Sequence, residues 1–303
     1  MTTPPLTPQS DARDPIGGPT ASPSLEAGLY VVSTPIGNLR DVTLRALDVL
    51  AGVDLILAED TRVSRKLLSA YGIRTRVERC DEHAAAAMIP RLLDDLAAGK
   101  RVALISDAGT PLVSDPGDRI VRAAADAGAK IIPIPGASAV LAALVASGVA
   151  GTVFTFAGFA PPKSKARREF FAEFADAPGS LVFFETGPRL AESLADMAAA
   201  FGPRPAAVAR ELTKMFEQIV RGPLPDLAAA AAAGDPPRGE IVVVVAPAPP
   251  PEAADVAQID AALTRALVGQ NLKSAVAEVA AALGAPRRLV YGRALALRGD
   301  SPE

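Results

Sequence analysis

Four stretches of this 303-residue chain concentrate the residue types that grip a polar ligand, and each follows a run that reads as a β-strand. The first is Ser33, Thr34, Pro35, Ile36, Gly37, Asn38 and Leu39, where glycine and small polar residues let backbone approach a ligand closely. The second, Ala58, Glu59, Asp60, Thr61 and Arg62, places an acidic pair at a strand exit. The third runs over 106–117 and interleaves Asp107, Asp115, Ser106, Ser114 and Thr110 with glycine and proline. The fourth, Ile134, Pro135, Gly136, Ala137, Ser138 and Ala139, ends in a serine suited to cap a helix. Taken singly, the first and fourth read equally well as turns. Glu59 and Asp60 fit a solvated helix start, where the helix dipole favours carboxylates. A helix-free loop as long as the third is usually functional in a compact domain.

The chemistry these loops allow is bounded by what the chain lacks. No G-x-x-x-x-G-K-[ST] phosphate loop occurs, and no G-x-G-x-x-G follows the first strand. The acidic loops suit a ligand with positive centres better than a polyphosphate. His83 is the only histidine and Cys80 the only cysteine, so neither a ligand-spaced metal cluster nor an intramolecular disulfide is expected. His83 heads an alanine-rich helix and reads as a surface or structural residue. Cys80 reads as a small buried hydrophobe. With a net charge of −3, phosphate contacts must come from a local basic patch. Lys163, Lys165, Arg167 and Arg168 place four cations in six positions beside Phe156 and Phe159. They form a candidate phosphate-binding patch, and the other reading is an ordinary solvated helix start. Glu185 and Arg210 close two further strands, with Glu211 and Lys214 just beyond, where all four can face a cleft. Structural salt bridging accounts equally well for Arg210 and Glu211.

The elements that position these residues follow from periodicity. Strands are expected at 28–33, 54–58, around Val77, at 101–105 and 130–134. They alternate with helices from Asp41, from Thr61 to Gly72, over 84–98 and over 118–127. That alternation implies a parallel sheet covered on both faces, with ligands held at the carboxyl ends of its strands. After an alanine-rich helix over 138–147, strands are expected at 152–157, 181–185, 206–210, 218–221 and 240–246, and helices at 164–174 and 189–201. The strand at 218–221 has no long crossover before it, so the second sheet should be mixed. A proline linker at 247–251 precedes three short helices at 255–268, 272–283 and 287–297. The expected plan is α/β: a tail over 1–27, one lobe over 28–138, a second over 139–247, and a linker with a small helical domain over 248–303. The proline-rich composition of 1–27 fits disorder and lacks a signal-peptide pattern. No apolar run approaches the roughly 18 residues of a membrane span, and a cytoplasmic location is expected.

Several strings resemble the tetrapyrrole-methylase superfamily: VSTPIGNLRDVTLRAL from Val32, LAEDTR from Leu57, ALISDAGTPLVSDPG from Ala103 and PIPGASA from Pro133. FAGFAPPKSKARR from Phe156, ARELTKMFE from Ala209 and RGEIVVVV from Arg238 narrow the resemblance. They are similar to the superfamily's ribosomal RNA small-subunit branch, which methylates a cytidine ribose 2'-oxygen. The resemblance runs in order from about residue 28 to the C-terminus.

It implies S-adenosylmethionine as cofactor, whose ammonium and sulfonium suit the acidic loops, with 16S ribosomal RNA in the 30S subunit as substrate and a homodimer as assembly. Cofactor contacts are implied at Pro35, at Asp107, Ala108, Gly109, Thr110 and Pro111, and at Ser114, Asp115, Pro116 and Gly117. Further contacts are implied at Pro135, Gly136 and Ser138, and at Glu240 on the last strand. On the substrate side, Glu185, Arg210, Glu211 and Lys163 are the candidates for catalysis. Lys163, Lys165, Arg167 and Arg168 are the candidates for RNA phosphates. The chain departs from the family pattern at Pro188, where histidine is common, and at Asp81 and Ala84, where histidine and asparagine are usual. Two other readings stay open: a methyltransferase acting on a tetrapyrrole, and a non-catalytic RNA-binding assembly factor that kept the fold.

Overall fold

The computed structural model describes residues 25–112, 117–249 and 255–299. Its first sheet is built from β1 (Gly28–Val32), α1 (Leu44–Gly52), β2 (Leu55–Ala58), α2 (Thr61–Ala70), β3 (Val77–Arg79), α3 (Glu82–Ala97), β4 (Arg101–Ile105), α4 (Asp118–Asp126) and β5 (Ile131–Ile134). The strand order is β3-β2-β4-β1-β5, and every pairing is parallel. Successive side chains on a strand point to opposite faces, and here both faces are apolar. Tyr30, Val32, Ile56 and Ile105 pack against Leu47 and Leu50 of α1 and Leu67 of α2. Leu29, Leu57, Val102 and Leu104 pack against Leu92 of α3 and Ile120 of α4. This explains why the strands read as unbroken apolar runs and need helices on both sides.

The second sheet follows α5 (Ala139–Ser147). Its elements are β6 (Phe154–Phe159), α6 (Ser164–Glu173), β7 (Ser180–Thr186), α7 (Leu190–Phe201), β8 (Pro205–Arg210), β9 (Gln218–Pro223), α8 (Leu224–Ala233) and β10 (Glu240–Val245). Their order is β6-β7-β10-β8-β9. Only β6 and β7 pair in parallel, so the sheet is mixed, as the short connection before β9 predicts. One face packs on α6, α7 and α8 through Phe171, Phe183, Leu194 and Leu227. The other packs on α5 through Val140, Ala143 and Leu144, and it also takes in Ile36 from the loop after β1.

A separate compact unit begins after Pro247 and contains α9 (Val256–Ala266), α10 (Leu272–Ala282) and α11 (Arg287–Arg298). Ile259, Leu263, Val276, Val279 and Val290 form its core. Asp255 and Gln258 cap α9 reciprocally.

Local chemistry moves some boundaries. Thr43 caps α1 by accepting the Ala46 N–H at 3.1 Å, so this helix starts later than Asp41, after a short 3-10 turn. Asp81 caps α3, accepting the Ala84 N–H at 2.8 Å, which gives the departure at Asp81 a structural role. Helix α8 is not announced by periodicity, because its alanine run carries almost no polar face. The expected tail over 1–27 is too long by three residues. Leu25 packs against the first core and the Glu26 carbonyl accepts the Tyr30 hydroxyl at 2.8 Å. The rest of that tail lies outside the described residues. Among the described residues, no helix is long and apolar enough to cross a membrane.

Candidate active site

The loops after β1 and β4 are tied together before anything else joins them. Thr34 and Gly109 exchange backbone hydrogen bonds at 2.8 and 3.1 Å, forming an isolated antiparallel bridge. Gly109 adopts φ +79°, a conformation that favours glycine. The Thr34 hydroxyl donates to the Ser106 carbonyl at 3.2 Å, and the Ser33 and Thr110 hydroxyls meet at 2.9 Å. Thr110 also donates to the Ala137 carbonyl at 3.2 Å, which brings in the loop before α5. There Gly136 lies so close to Ser33 that an added Cβ would sit 2.8 Å from the Ser33 Cβ. Ser138 caps α5 by accepting the Leu141 N–H at 3.4 Å.

Two clefts flank this knot. One has an apolar wall of Ile36, Val140, Phe159, Phe184 and Val242, and Ala108, Gly109, Thr110 and Ser138 also line it. The second runs along Thr34, Pro35, Gly37, Lys66, Asp107 and Lys214. Ile36, Ala108 and Glu240 border both. Alongside Glu240, Asp107 is an acidic group of the second cleft. Burial pushes its carboxyl above the usual range and the nearby Asp60 charge adds to this, while the Asp60 N–H, donated at 3.0 Å, pulls it back down.

Opposite Asp107, the turn after β8 is held in strained backbone, with φ +52° at Glu211 and +65° at Thr213. The Lys214 ammonium donates to Glu211 Oε1 at 2.7 Å and to Glu240 Oε2 at 2.9 Å. Glu211 Oε1 also accepts the Glu240 N–H at 3.1 Å. Burial works against the Lys214 charge, but the two carboxylates outweigh it and leave its pKa raised. The same turn reaches the first loop, because the Asn38 N–H donates to Thr213 Oγ1 at 3.2 Å.

The expected site residues therefore separate into groups. Pro35, Asp107, Ala108, Gly109, Thr110, Ser138 and Glu240 line the clefts. Pro111, Gly117, Pro135 and Gly136 do not. Gly117 packs against Leu104 and heads α4, and Gly136 serves the contact with Ser33. Ser114, Asp115 and Pro116 lie outside the described residues.

On the substrate side three of the candidates are engaged by partners within the fold. Glu185 borders the first cleft at the end of β7, while its side chain shares strand parity with Leu181 and Phe183 and turns toward α7. There it is buried, accepts the Ser193 hydroxyl and the Thr186 N–H, and pairs with Arg189 at 3.4 Å. Arg210 is engaged by the Arg238 carbonyl at 3.0 Å and by Gln218 at 3.3 Å. Arg167 is 1% exposed and bonds Asp196 at 2.7 Å and Glu192 at 3.1 Å, so it cannot reach a phosphate. Glu211 lies in the turn after β8 and is engaged by Lys214 and the Glu240 N–H. Lys163, Lys165 and Arg168 remain exposed at the start of α6. Sequence reasoning set Lys214 near a cleft without giving it a role, and it did not include Phe184 or Gly239 among the site residues. The signal for Gly239 was its place before β10, where an added Cβ would meet Glu211 at 2.4 Å.

A family model described as Tetrapyrrole (Corrin/Porphyrin) Methylases matches residues 28–228. The chain belongs to the tetrapyrrole methylase family. A second model, described as RsmI C-terminal HTH domain, matches residues 253–298. Among relatives in this family, a protein named Ribosomal RNA small subunit methyltransferase I from Mesorhizobium japonicum is 49% identical, covering 92% of this chain and 95% of its own. A protein of the same name from Pseudomonas aeruginosa is 44% identical over 90% and 98%. Among solved tetrapyrrole methylases, the methyltransferase CobJ aligns with a TM-score of 0.55 at 22% identity, covering 73% of this chain and 95% of that one. A uroporphyrin-III C-methyltransferase from Thermus thermophilus, complexed with S-adenyl homocysteine, aligns at 0.51 and 18%, covering 72% and 97%. These two likenesses concern the fold.

Proposed function

We propose that this chain transfers a methyl group from S-adenosylmethionine to the 2'-oxygen of a cytidine ribose in 16S ribosomal RNA, in the cytoplasm and within the 30S subunit. Relatives that align over nearly their whole length and carry the small-subunit methyltransferase name support the substrate. The observation that carries the reading is the partly buried Asp107 at the wall of a cleft otherwise built from strand-end backbone and small side chains.

The donor set fits the cofactor. Asp107 offers a carboxylate whose ionised form a cationic ligand would favour. The apolar wall of Ile36, Val140 and Val242 suits a flat heterocycle, and the Thr34–Gly109 bridge brings backbone to the edge without side chains in the way. When bound, S-adenosylmethionine supplies an electrophilic methyl on sulfur whose leaving group is neutral. The protein's task is then alignment of the reacting atoms, an effect that can supply roughly 7–11 kcal/mol. A ribose hydroxyl is a weak nucleophile, and a fixed positive charge near it favours the alkoxide. Lys214 is the cation placed for that role, bordered by Glu240 at the junction of the clefts. Lys163, Lys165 and Arg168 supply phosphate contacts. The active form is a homodimer, for which Leu141 and Val145, 54% and 86% exposed on α5, offer apolar surface.

The test is transfer of a tritiated methyl from the donor to 30S subunits lacking the modification, beside uroporphyrinogen. Label in a ribose of 16S RNA is expected. Label in the tetrapyrrole alone, or donor binding without any transfer, would overturn the reading.

A further inference from the structure

The helical unit after Pro247 carries charge that its own fold does not use. Over the described residues 255–299 it holds six cations and three carboxylates, Asp255, Asp260 and Glu278, although the whole chain is net negative. Arg293 is consumed internally, with Nε donating to Asp260 at 2.8 Å between α11 and α9. Arg265 folds back on its own helix, donating to the Ala261 carbonyl. Lys273, Arg287 and Arg288 differ. Among the described residues none of them has a carboxylate partner, and all three are exposed. They line one groove on this unit together with Tyr291, 47% exposed, and the buried Val276.

Three unneutralised cations around a half-exposed aromatic ring match one chemistry well. The cations complement a phosphate backbone, and a ring of this kind takes a stacked, unpaired base. An acidic protein surface would meet the charge but leave Tyr291 without a role. A duplex would meet the charge but offer no free base face. We infer that the groove between α10 and α11, formed by Lys273, Arg287, Arg288 and Tyr291, binds an unpaired segment of the substrate RNA. This deepens the proposed function and rests on that reading for the identity of the RNA.

The experiment uses the full chain and a short, fluorescein-labelled unpaired RNA taken from 16S sequence, read by anisotropy over about 50 to 200 mM salt. Single-strand contacts contribute about 0.7 to the salt slope per phosphate. Lys273→Ala with Arg287→Ala and Arg288→Ala should therefore flatten the slope by about 2 and weaken binding on the order of 100-fold near 0.1 M salt. Tyr291→Leu should weaken binding about tenfold and leave the slope unchanged, as loss of one stacked base predicts. Arg265→Gln with Arg298→Gln controls for net charge and should change affinity little. Donor affinity, measured by calorimetry, should be the same in every variant.

Unchanged RNA affinity and slope in the triple variant would overturn the inference, as would an equal loss per charge in the Arg265 and Arg298 control. Loss of association with 30S particles at unchanged RNA affinity would assign the groove to a ribosomal protein and also overturn it. If the chain transfers no methyl to 30S yet both groove variants lose RNA as described, the inference stands and the proposed reaction fails.

Discussion

Replacing Arg167 discriminates most sharply between a basic patch read from sequence and the structure that contains it. The guanidinium is nearly inaccessible, and its Nε bonds Asp196, whose side chain is itself only 13% exposed. Its NH2 reaches Glu192, which is 74% exposed. Breaking a buried pair by removing one partner costs about 3–5 kcal/mol, because the remaining charge is stranded. An exposed pair contributes about 0–1 kcal/mol. Asp196 keeps two helpers after Arg167→Met, the Ser164 hydroxyl at 3.2 Å and Arg168 at 4.0 Å. The cost should therefore fall below the buried limit, at about 2–3 kcal/mol. For a chain of this size that lowers Tm by roughly 4–10 °C. Arg167→Met combined with Asp196→Leu should recover part of the loss, since no charge is then left unpaired. Thermal and urea unfolding of the two variants beside the wild type read this directly. Wild-type stability of Arg167→Met, accompanied by weaker RNA binding, would refute the assignment.

Asp107→Asn should cut donor affinity by at least tenfold while RNA affinity is kept, as checked by calorimetry and anisotropy. In the wild type, burial raises the Asp107 pKa and a cationic ligand favours the ionised form. Donor affinity should thus be full at neutral pH and decline as pH falls toward the raised carboxylate range; a pH-independent affinity would contradict the contact. Lys163→Ala with Lys165→Ala should flatten the salt dependence of RNA binding by about 1.4 and shift stability by less than about 0.5 kcal/mol. Gly187→Ala should cost several kcal/mol or prevent folding, because its Cβ would fall 1.6 Å from the Pro237 carbonyl oxygen; soluble protein with unchanged Tm would contradict that packing.

The architecture was legible because strands buried on both faces leave apolar runs, and aspartate and serine mark the helix starts at Asp60 and Ser138. The same double burial hid the role of Glu185. When both faces of a strand are apolar, alternation does not reveal which face meets the cleft. Arg167 was misread for a related reason: its partner Asp196 lies 29 residues away, and no local pattern marks the pairing. Lys214 reaches the cleft only through left-handed backbone at Glu211 and Thr213, a conformation that non-glycine residues do not announce. Cys80 behaves as its type suggests, buried on the first sheet with burial pushing its thiol up to about 11.

Ile36 has a consequence for how ligands enter. It departs from the first sheet, yet its side chain is embedded beneath the second, among Val140, Val182 and Val242. Extracting a buried aliphatic group of this size costs about 1.5–3 kcal/mol before any other contact is disturbed. The two sheets consequently resist parting like the covers of a book, and traffic must pass by local rearrangement at the rim, where the half-exposed Phe159 is a side chain able to swing aside.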